Sequence, residues 1–346
     1  MTRHTVMVLT QPYDFTSDLV IKRLYERGVD VVRFDSGWFP RDALLTARLE
    51  CGVPEPLTSV MPTVGKSWEL AQVASIWMRR PRDFVFDERL NAGAAEFARN
   101  EARAGLGGVL RSASSLWVNH PEKEVTACYK PLQLTLAARL GLSIPRTLIT
   151  NDPGAARTFI ETNRNGTIYK TLHVPFTKSG DGPDSLVFTS IISPDDIAAL
   201  ATIRYTPCLL QEWVPKAFEL RATVINGRVF TAALRTNGTP AVDWRAAHGD
   251  LEYSGYVLPE RVNDLLLRLV DELGLVFATA DFVVTPDGDH VFLEVNPNGQ
   301  WAWLEHETGL PLIDAMADCL APFSAAGAGS LMRWNGKCGA LTRRDC

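Results

Sequence analysis

The chain has 346 residues, 46% of them hydrophobic and 22% charged, with a mean hydropathy of −0.02. This composition excludes a disordered or fibrous protein, and at roughly 150 residues per domain it allows two domains or three lobes. The net charge of −5 argues against a general duplex nucleic-acid binder, which needs a basic face. Six cysteines are scattered without CxxC spacing. They read as reduced thiols rather than a disulfide framework or zinc site. The apolar run Val6-Met7-Val8-Leu9 is too short for a signal peptide, and no stretch approaches the ~20 apolar residues of a membrane span. The expectation is a cytoplasmic protein with no membrane partner.

The start reads as a β-α-β unit: a strand over 5–9, a helix over 17–26 with Leu19, Val20 and Leu24 near one face, a stop at Gly28 and a strand over 29–34. A strand over 75–78 runs into the basic cluster Arg79-Arg80-Pro81-Arg82. Taken alone, that cluster reads as a solvated basic turn. The Ala/Glu/Arg-rich stretch 87–112 predicts helix, and 116–119 one more strand. Residues 1–120 therefore read as a doubly wound α/β domain without a GxGxxG or P-loop fingerprint. A helix over 131–140 stops at Gly141. Asp152 caps another, with Pro153 at its first position, and a strand follows over 167–171. Residues 173–185 are a polar, Gly/Pro-punctuated loop, and Ser193-Pro194-Asp195-Asp196 opens a further helix. Beyond 207 the pattern turns antiparallel. A strand over 209–214 leads to a hairpin about Asn226-Gly227, a helix over 262–273 ending at Gly274, a second hairpin over 280–296 and a closing helix over 306–322. The Gly/Ala/Ser-rich tail from 324 reads as poorly ordered.

The second hairpin carries the chemistry. With its turn centred on Asp287-Gly288, Asp281 falls opposite Glu294, and Asn296 shares the face of Glu294. Directly opposed like charges repel. A hard divalent cation would relieve the repulsion and use all three oxygen donors, and Mg²⁺ held together with substrate phosphates is the usual case. The competing reading is a solvated face with two ordinary acids, which Phe282, Val284, Phe292 and Leu293 disfavour by implying burial. Lys170 lies inside an apolar strand, where it either snorkels or pairs with an anion. Lys130 precedes a helix. Arg235 ends a strand and Arg245 follows Asp243-Trp244; each is a phosphate partner or a surface ion pair. The segment Gln211-Glu212-Trp213-Val214 offers backbone to an adenine edge or is an ordinary edge strand. Glu219 and Arg221 share a strand face, where Glu219 either meets ribose hydroxyls or joins an ion pair.

The order Lys130, Tyr169-Lys170, QEWV at 211–214, ELR at 219–221, ALR at 233–235, Asp281 and Glu294-Val-Asn296 resembles the ATP-grasp ligase superfamily, near ribosomal protein S6 glutamate ligase. The strings KPLQLTLAARLGLSIPRTLITNDP (130–153), SIWMRRP (75–81) and LWVNHP (116–121) resemble the ATP-grasp ribosomal peptide maturases, or graspetide synthetases. The resemblance spans about residues 1–320. It implies an α/β and α+β architecture: a doubly wound pre-ATP-grasp domain over 1–120 and an ATP-grasp domain over 121–323, its two lobes divided near 206. It also implies ATP and two Mg²⁺ as cofactors. By position, Lys130, Lys170 and Lys178 would hold phosphates, and Gln211 to Val214 the adenine. Glu219 would meet the ribose, with Arg221 beside it, and Asp281, Glu294 and Asn296 the metals. Arg235 and Arg245 would steady the γ-phosphate or acyl-phosphate. The hairpin register about Asn226-Gly227, however, puts Arg235 on the face away from Glu219.

The implied reaction activates an Asp or Glu side chain of a precursor peptide, which carries a leader and an acidic core, as an acyl-phosphate. A hydroxyl or amine of the same peptide then displaces phosphate, closing an ester or amide macrocycle. The alternatives are an intermolecular amino-acid ligase of the S6 type and a non-catalytic nucleotide-binding protein. The latter is disfavoured because every matched position is filled. A homo-oligomer is compatible with the sequence.

Overall fold

The computed structural model describes residues 4–53, 57–63, 66–173, 176–177, 185–187, 189–236 and 251–322. Lys178, Arg245 and the tail from 324 lie outside them.

The N-terminal region is built on four parallel strands in the order Asp30–Phe34, Thr5–Thr10, Val73–Arg80 and Leu116–Val118. The Thr5–Thr10 strand is buried along its whole length, as expected of a parallel strand covered on both faces. Val6 and Val8 pack with Val20 and Leu24 of the Phe15–Glu26 helix. Met7 and Leu9 face Leu106 and Leu110 of the Ala92–Arg111 helix. That second helix starts later than its composition predicts, because the Asn91 side chain caps it by accepting from the Ala94 amide. A small antiparallel sheet of Thr46–Leu49, Leu57–Thr63 and Lys66–Glu69 was not foreseen.

The middle lobe is a four-stranded antiparallel sheet in the order Ser190–Ile191, Thr167–Lys170, Cys208–Glu212 and Thr147–Thr150. The Pro153–Thr162 helix is capped by Asp152 as expected. Cys208–Glu212 pairs with strands on both sides, so the chain leaves this sheet after Glu212 rather than near 206. In the loop over 173–185, Phe176–Thr177 pairs with Ser185–Leu186.

The third lobe is a five-stranded antiparallel sheet in the order Leu251–Tyr256, Arg228–Thr236, Phe218–Ile225, Phe277–Val284 and His290–Asn296. Asn226 and Gly227 both take positive φ, 46° and 75°, the mirror-image turn that suits a tight hairpin. One face carries Leu220, Ala222, Val224, Ala280 and Phe282 against Leu266 and Leu269 of the Glu260–Glu272 helix.

The second hairpin reaches its expected pairing by an unexpected route. Its turn is the three-residue loop Pro286-Asp287-Gly288, closed by the Thr285 amide on the Asp289 carbonyl at 2.9 Å. This register pairs Phe282 with Phe292 and Val283 with Val291, one residue off the expected one. A bulge then inserts Leu293, and Asp281 falls opposite Glu294 after all. Bulges of this kind re-aim side chains beside active sites. Here Phe282 and Phe292 stay in the core while Leu293 and Glu294 both line the cleft described below.

The chain ends with two helices, Ala302–Thr308 and Leu312–Leu320, not one. Gly309 in the left-handed region (φ 72°) stops the first, and Pro311 caps the second. Both return to the N-terminal region. Leu312, Met316 and Leu320 join the cluster of Val6, Val20 and Leu24, and Asp314 accepts from Arg23 and from Arg27, the latter at 2.5 Å.

Candidate active site

Two strand pairings set the centre of the site. Arg221 pairs with Asp281, and Asp281 with Glu294, so these three residues form a row across the sheet. Lys130 comes from the start of the Lys130–Leu140 helix and Lys170 from the end of the Thr167–Lys170 strand. Their Nζ atoms lie 3.1 and 3.9 Å from Glu294 Oε2. Lys170 is only 9% exposed, so it pairs with an anion rather than snorkelling. Lys130 also donates to the Thr171 carbonyl at 2.7 Å, which fixes its reach.

Two adjoining clefts share Lys170, Thr189 and Glu294. The first is a cleft partly open to solvent. Pro145, Ile168, Val283 and Leu293 supply its apolar walls, and Gln211, Glu212, Trp213 and Val214 its edge. The amides of Glu212 and Trp213 donate to the carbonyls of Arg146 and Gly166 at 2.9 and 3.0 Å. The Val214 amide makes no backbone hydrogen bond among the described residues, which leaves it available to a ligand edge. Gln211 is buried and donates to Thr147 Oγ1 at 3.0 Å. Glu219 lines the same cleft, but its ion-pair partner is Lys216, three residues earlier, and not Arg221. Lys216 was missed in the sequence; its spacing ahead of Glu219 was the available signal. The second cleft holds Lys130, Gln133, Lys170, Glu294 and Asn296.

Arg221 does not line either cleft. It is buried, with Nη1 donating to both Asp281 oxygens at 2.8 and 3.0 Å and Nη2 to Thr279 Oγ1 and the Gln300 carbonyl, each at 3.1 Å. Its guanidinium is thus engaged by Asp281, Thr279 and the Gln300 carbonyl. Arg235 is likewise absent from the lining of both clefts. It lies on the opposite face, its guanidinium 4.2 Å from the centroid of the Phe218 ring and donating to Ser254 Oγ at 2.9 Å. The alternation of the strand, read from the Asn226-Gly227 register, is the cause. Lys178 and Arg245 lie outside the described residues.

The basic cluster at 79–82 is not a single surface. Arg79 is buried, 3.4 Å from Asp14, and burial brings its pKa down to about 10. Arg82 is tied to Asp35 at 2.5 Å, leaving Arg80 exposed at the end of its strand. Beside Arg79, burial pushes the Glu124 carboxyl up to about 7; its Oε1 accepts from Asn298 Nδ2 at 3.1 Å.

Two carboxylates and a carboxamide make an all-oxygen donor set that suits a hard cation. Among the described residues no three His, Cys, Asp or Glu side chains cluster as a metal cage. The set therefore fits Mg²⁺ completed by phosphate oxygens rather than a cation held by protein alone.

A parallel-sheet domain followed by two α+β lobes that clasp a lysine-lined cleft defines the ATP-grasp class of ligase. The family model for the MvdD pre-ATP-grasp domain matches residues 5–125. The macrocyclase MdnC of Microcystis aeruginosa MRC, solved with its precursor peptide MdnA, is 30% identical over 92% of this chain and 99% of its own, with a TM-score of 0.80. MdnB, a macrocyclase of the same organism, is 32% identical over 92% and 99%, with a TM-score of 0.75. A RiPP-associated ATP-grasp ligase of Chryseobacterium gregarium, solved with ADP and a leader and core peptide, is 25% identical over 92% and 97%, with a TM-score of 0.84. No curated protein matches the chain. The chain belongs to the ATP-grasp ligases of ribosomal peptide maturation, the graspetide synthetases. No helix among the described residues is long and apolar enough to cross a membrane.

Proposed function

We propose that the protein activates Asp or Glu side chains of a ribosomal precursor peptide with ATP and closes them onto side-chain hydroxyls or amines of the same peptide. The observation that carries this reading is the meeting of Lys130 and Lys170 on Glu294, directly opposite Asp281. A lysine from the middle-lobe strand, a second from a helix packed on the third sheet and paired carboxylates from that sheet suit a triphosphate and its counter-ion. The macrocyclase relatives and their precursor peptide support the peptide as substrate.

Gln211 to Val214 hold the adenine, with the free Val214 amide on its edge. Glu219, oriented by Lys216, meets the ribose hydroxyls. Lys130 and Lys170 swing from Glu294 to the phosphates. Asp281, Glu294 and Asn296 hold Mg²⁺, two ions by family analogy, which when bound neutralises charge on the phosphates. The peptide carboxylate attacks the γ-phosphorus, forming the acyl-phosphate and releasing ADP. The hydroxyl or amine then adds to the acyl carbon and phosphate leaves. The chain's contribution is positioning and charge neutralisation.

The test is mass spectrometry of a candidate acidic precursor peptide, incubated with enzyme, ATP and Mg²⁺, with ADP quantified. Loss of one water per ADP formed is expected, and Asp281→Ala or Glu294→Ala abolishes both. A mass gain on an added amine would instead identify an intermolecular ligase. ATP turnover unaltered in either variant would refute the metal assignment.

A further inference from the structure

The strand that carries Glu294 and Asn296 lies at the edge of its sheet. An edge strand presents unpaired backbone groups, and metal ligands on such a strand need another source of rigidity. Three polar side chains from separate elements supply it. Gln133, on the Lys130–Leu140 helix, accepts from the Val295 amide at 2.9 Å and donates to the Val295 carbonyl at 2.8 Å. It thus replaces a missing neighbour strand at the residue between the two ligands. Asn119 donates to the carbonyls of Pro297 and Phe277, each at 2.8 Å, and accepts from the amides of Val276 and Phe277 at 2.8 and 2.9 Å. Arg79 donates to the carbonyl and Oδ1 of Asn298 at 3.1 and 2.7 Å, to the Gly299 carbonyl at 3.3 Å and to Gln300 Oε1 at 2.6 Å.

All three side chains are 2% exposed. Burying an amide or a guanidinium is costly unless its hydrogen bonds are remade. Gln133 and Arg79 remake theirs largely on the stretch 295–300, and Asn119 ties Pro297 of that stretch to Val276 and Phe277, where the strand of Asp281 begins. Glu294 and Asn296 project into the second cleft from this stretch or its border. The same stretch also reaches Asp281: the Gln300 carbonyl accepts from Arg221, which holds Asp281.

We propose that Gln133, Asn119 and Arg79 are positioning residues for the metal ligands, acting through the stretch 295–300 and, for Asn119, through 276–277 as well. The proposal rests on the reading of Asp281, Glu294 and Asn296 as the Mg²⁺ site. Outer partners that orient metal ligands change metal affinity about 10–100-fold when removed. A purely structural role would lower stability without moving metal affinity selectively.

The experiment measures Mn²⁺ binding by electron paramagnetic resonance in the presence of a non-hydrolysable ATP analogue. ADP affinity in EDTA is measured in parallel by calorimetry. Gln133→Met keeps side-chain length and removes both hydrogen bonds to Val295 together with the one to the Ala127 carbonyl. We expect Mn²⁺ affinity to fall about 10–100-fold, with metal-free ADP affinity within about twofold of wild type. Should Gln133→Met fail to fold, Arg79→Lys preserves the charge beside Asp14 while losing the fork over 298–300, and the same selective loss is expected. Unchanged Mn²⁺ affinity in a folded variant, or equal loss of Mn²⁺ and ADP affinity, would overturn the proposal. Absence of Mn²⁺ binding by the wild type, with ADP still bound, would instead refute the metal-site reading on which it stands.

Discussion

Gly299 offers the sharpest test of the packing beneath the site. A Cβ built there would stand 1.9 Å from Thr279 Oγ1, 2.8 Å from Arg221 Nη2 and 3.0 Å from Thr279 Cβ. Thr279 is fully buried and bonded to Arg221 and to the Asn296 carbonyl, so it has nowhere to retreat. Overpacking of this kind costs about 1–3 kcal/mol, and the shortest contact argues for the upper end. Against this, Ala in place of Gly lowers unfolded-chain entropy and returns about 0.4–1 kcal/mol. The net expectation for Gly299→Ala is a loss of about 2 kcal/mol. Thr279→Ala alone forfeits its hydrogen bonds, at about 1 kcal/mol each, but it also removes the 1.9 Å obstacle. The double variant should therefore be more stable than the sum of the two by about 1 kcal/mol or more, a coupling expected only between touching residues. Urea unfolding midpoints with an unchanged m-value would read the cycle. Strict additivity, or a neutral Gly299→Ala, would refute the close approach.

Two further outcomes follow from the buried acid and the displaced arginine. Glu124 holds its proton to about pH 7 when folded, against an ordinary 4.5. Between these values the unfolded chain ionises first, so stability falls as pH rises, by about 1.4 kcal/mol per unit and about 3 kcal/mol in all. Glu124→Gln should flatten that slope in thermal melts from pH 4.5 to 7, and an unaltered slope would contradict the burial argument. Arg235→Ala should leave ATP turnover within about twofold of wild type, because its guanidinium stacks on Phe218 on the face away from the cleft. A large loss of turnover, measured as ADP release, would return Arg235 to the site.

The sequence held the main axis of the site in its alternation rules. Asp281 opposite Glu294 and the turned-away Arg235 both follow from counting outward from a turn. The first pairing nonetheless depends on two features that counting missed, the three-residue turn and the bulge at Leu293, whose one-residue offsets cancel. Leu293 carries no local mark of a bulge, since an aliphatic residue suits either face. Arg79 was unreadable for a different reason. Beside Arg80 and Arg82 it looks like part of a solvated turn, and the partners that justify its burial lie at 14 and 298–300. The strings around Arg79, Asn119 and Gln133, which carried the family resemblance, are also the places from which the strand beside the metal ligands is held.

The return of the last helices to the first sheet bears on how the molecule is made. Arg23 and Asp314, 291 residues apart, meet across the same interface that seats Leu312, Met316 and Leu320 on Val6 and Val20. On a ribosome the first sheet emerges early, yet the face with Val6 and Val8 is covered only by the Phe15–Glu26 helix until almost the whole chain has been synthesised. Contacts of such long sequence separation form late and slowly, and a half-covered apolar face in the interval is an aggregation hazard. Expression of residues 1–120 alone would leave that face covered by the first helix only, so the two ends of the chain are one folding unit despite their distance in sequence.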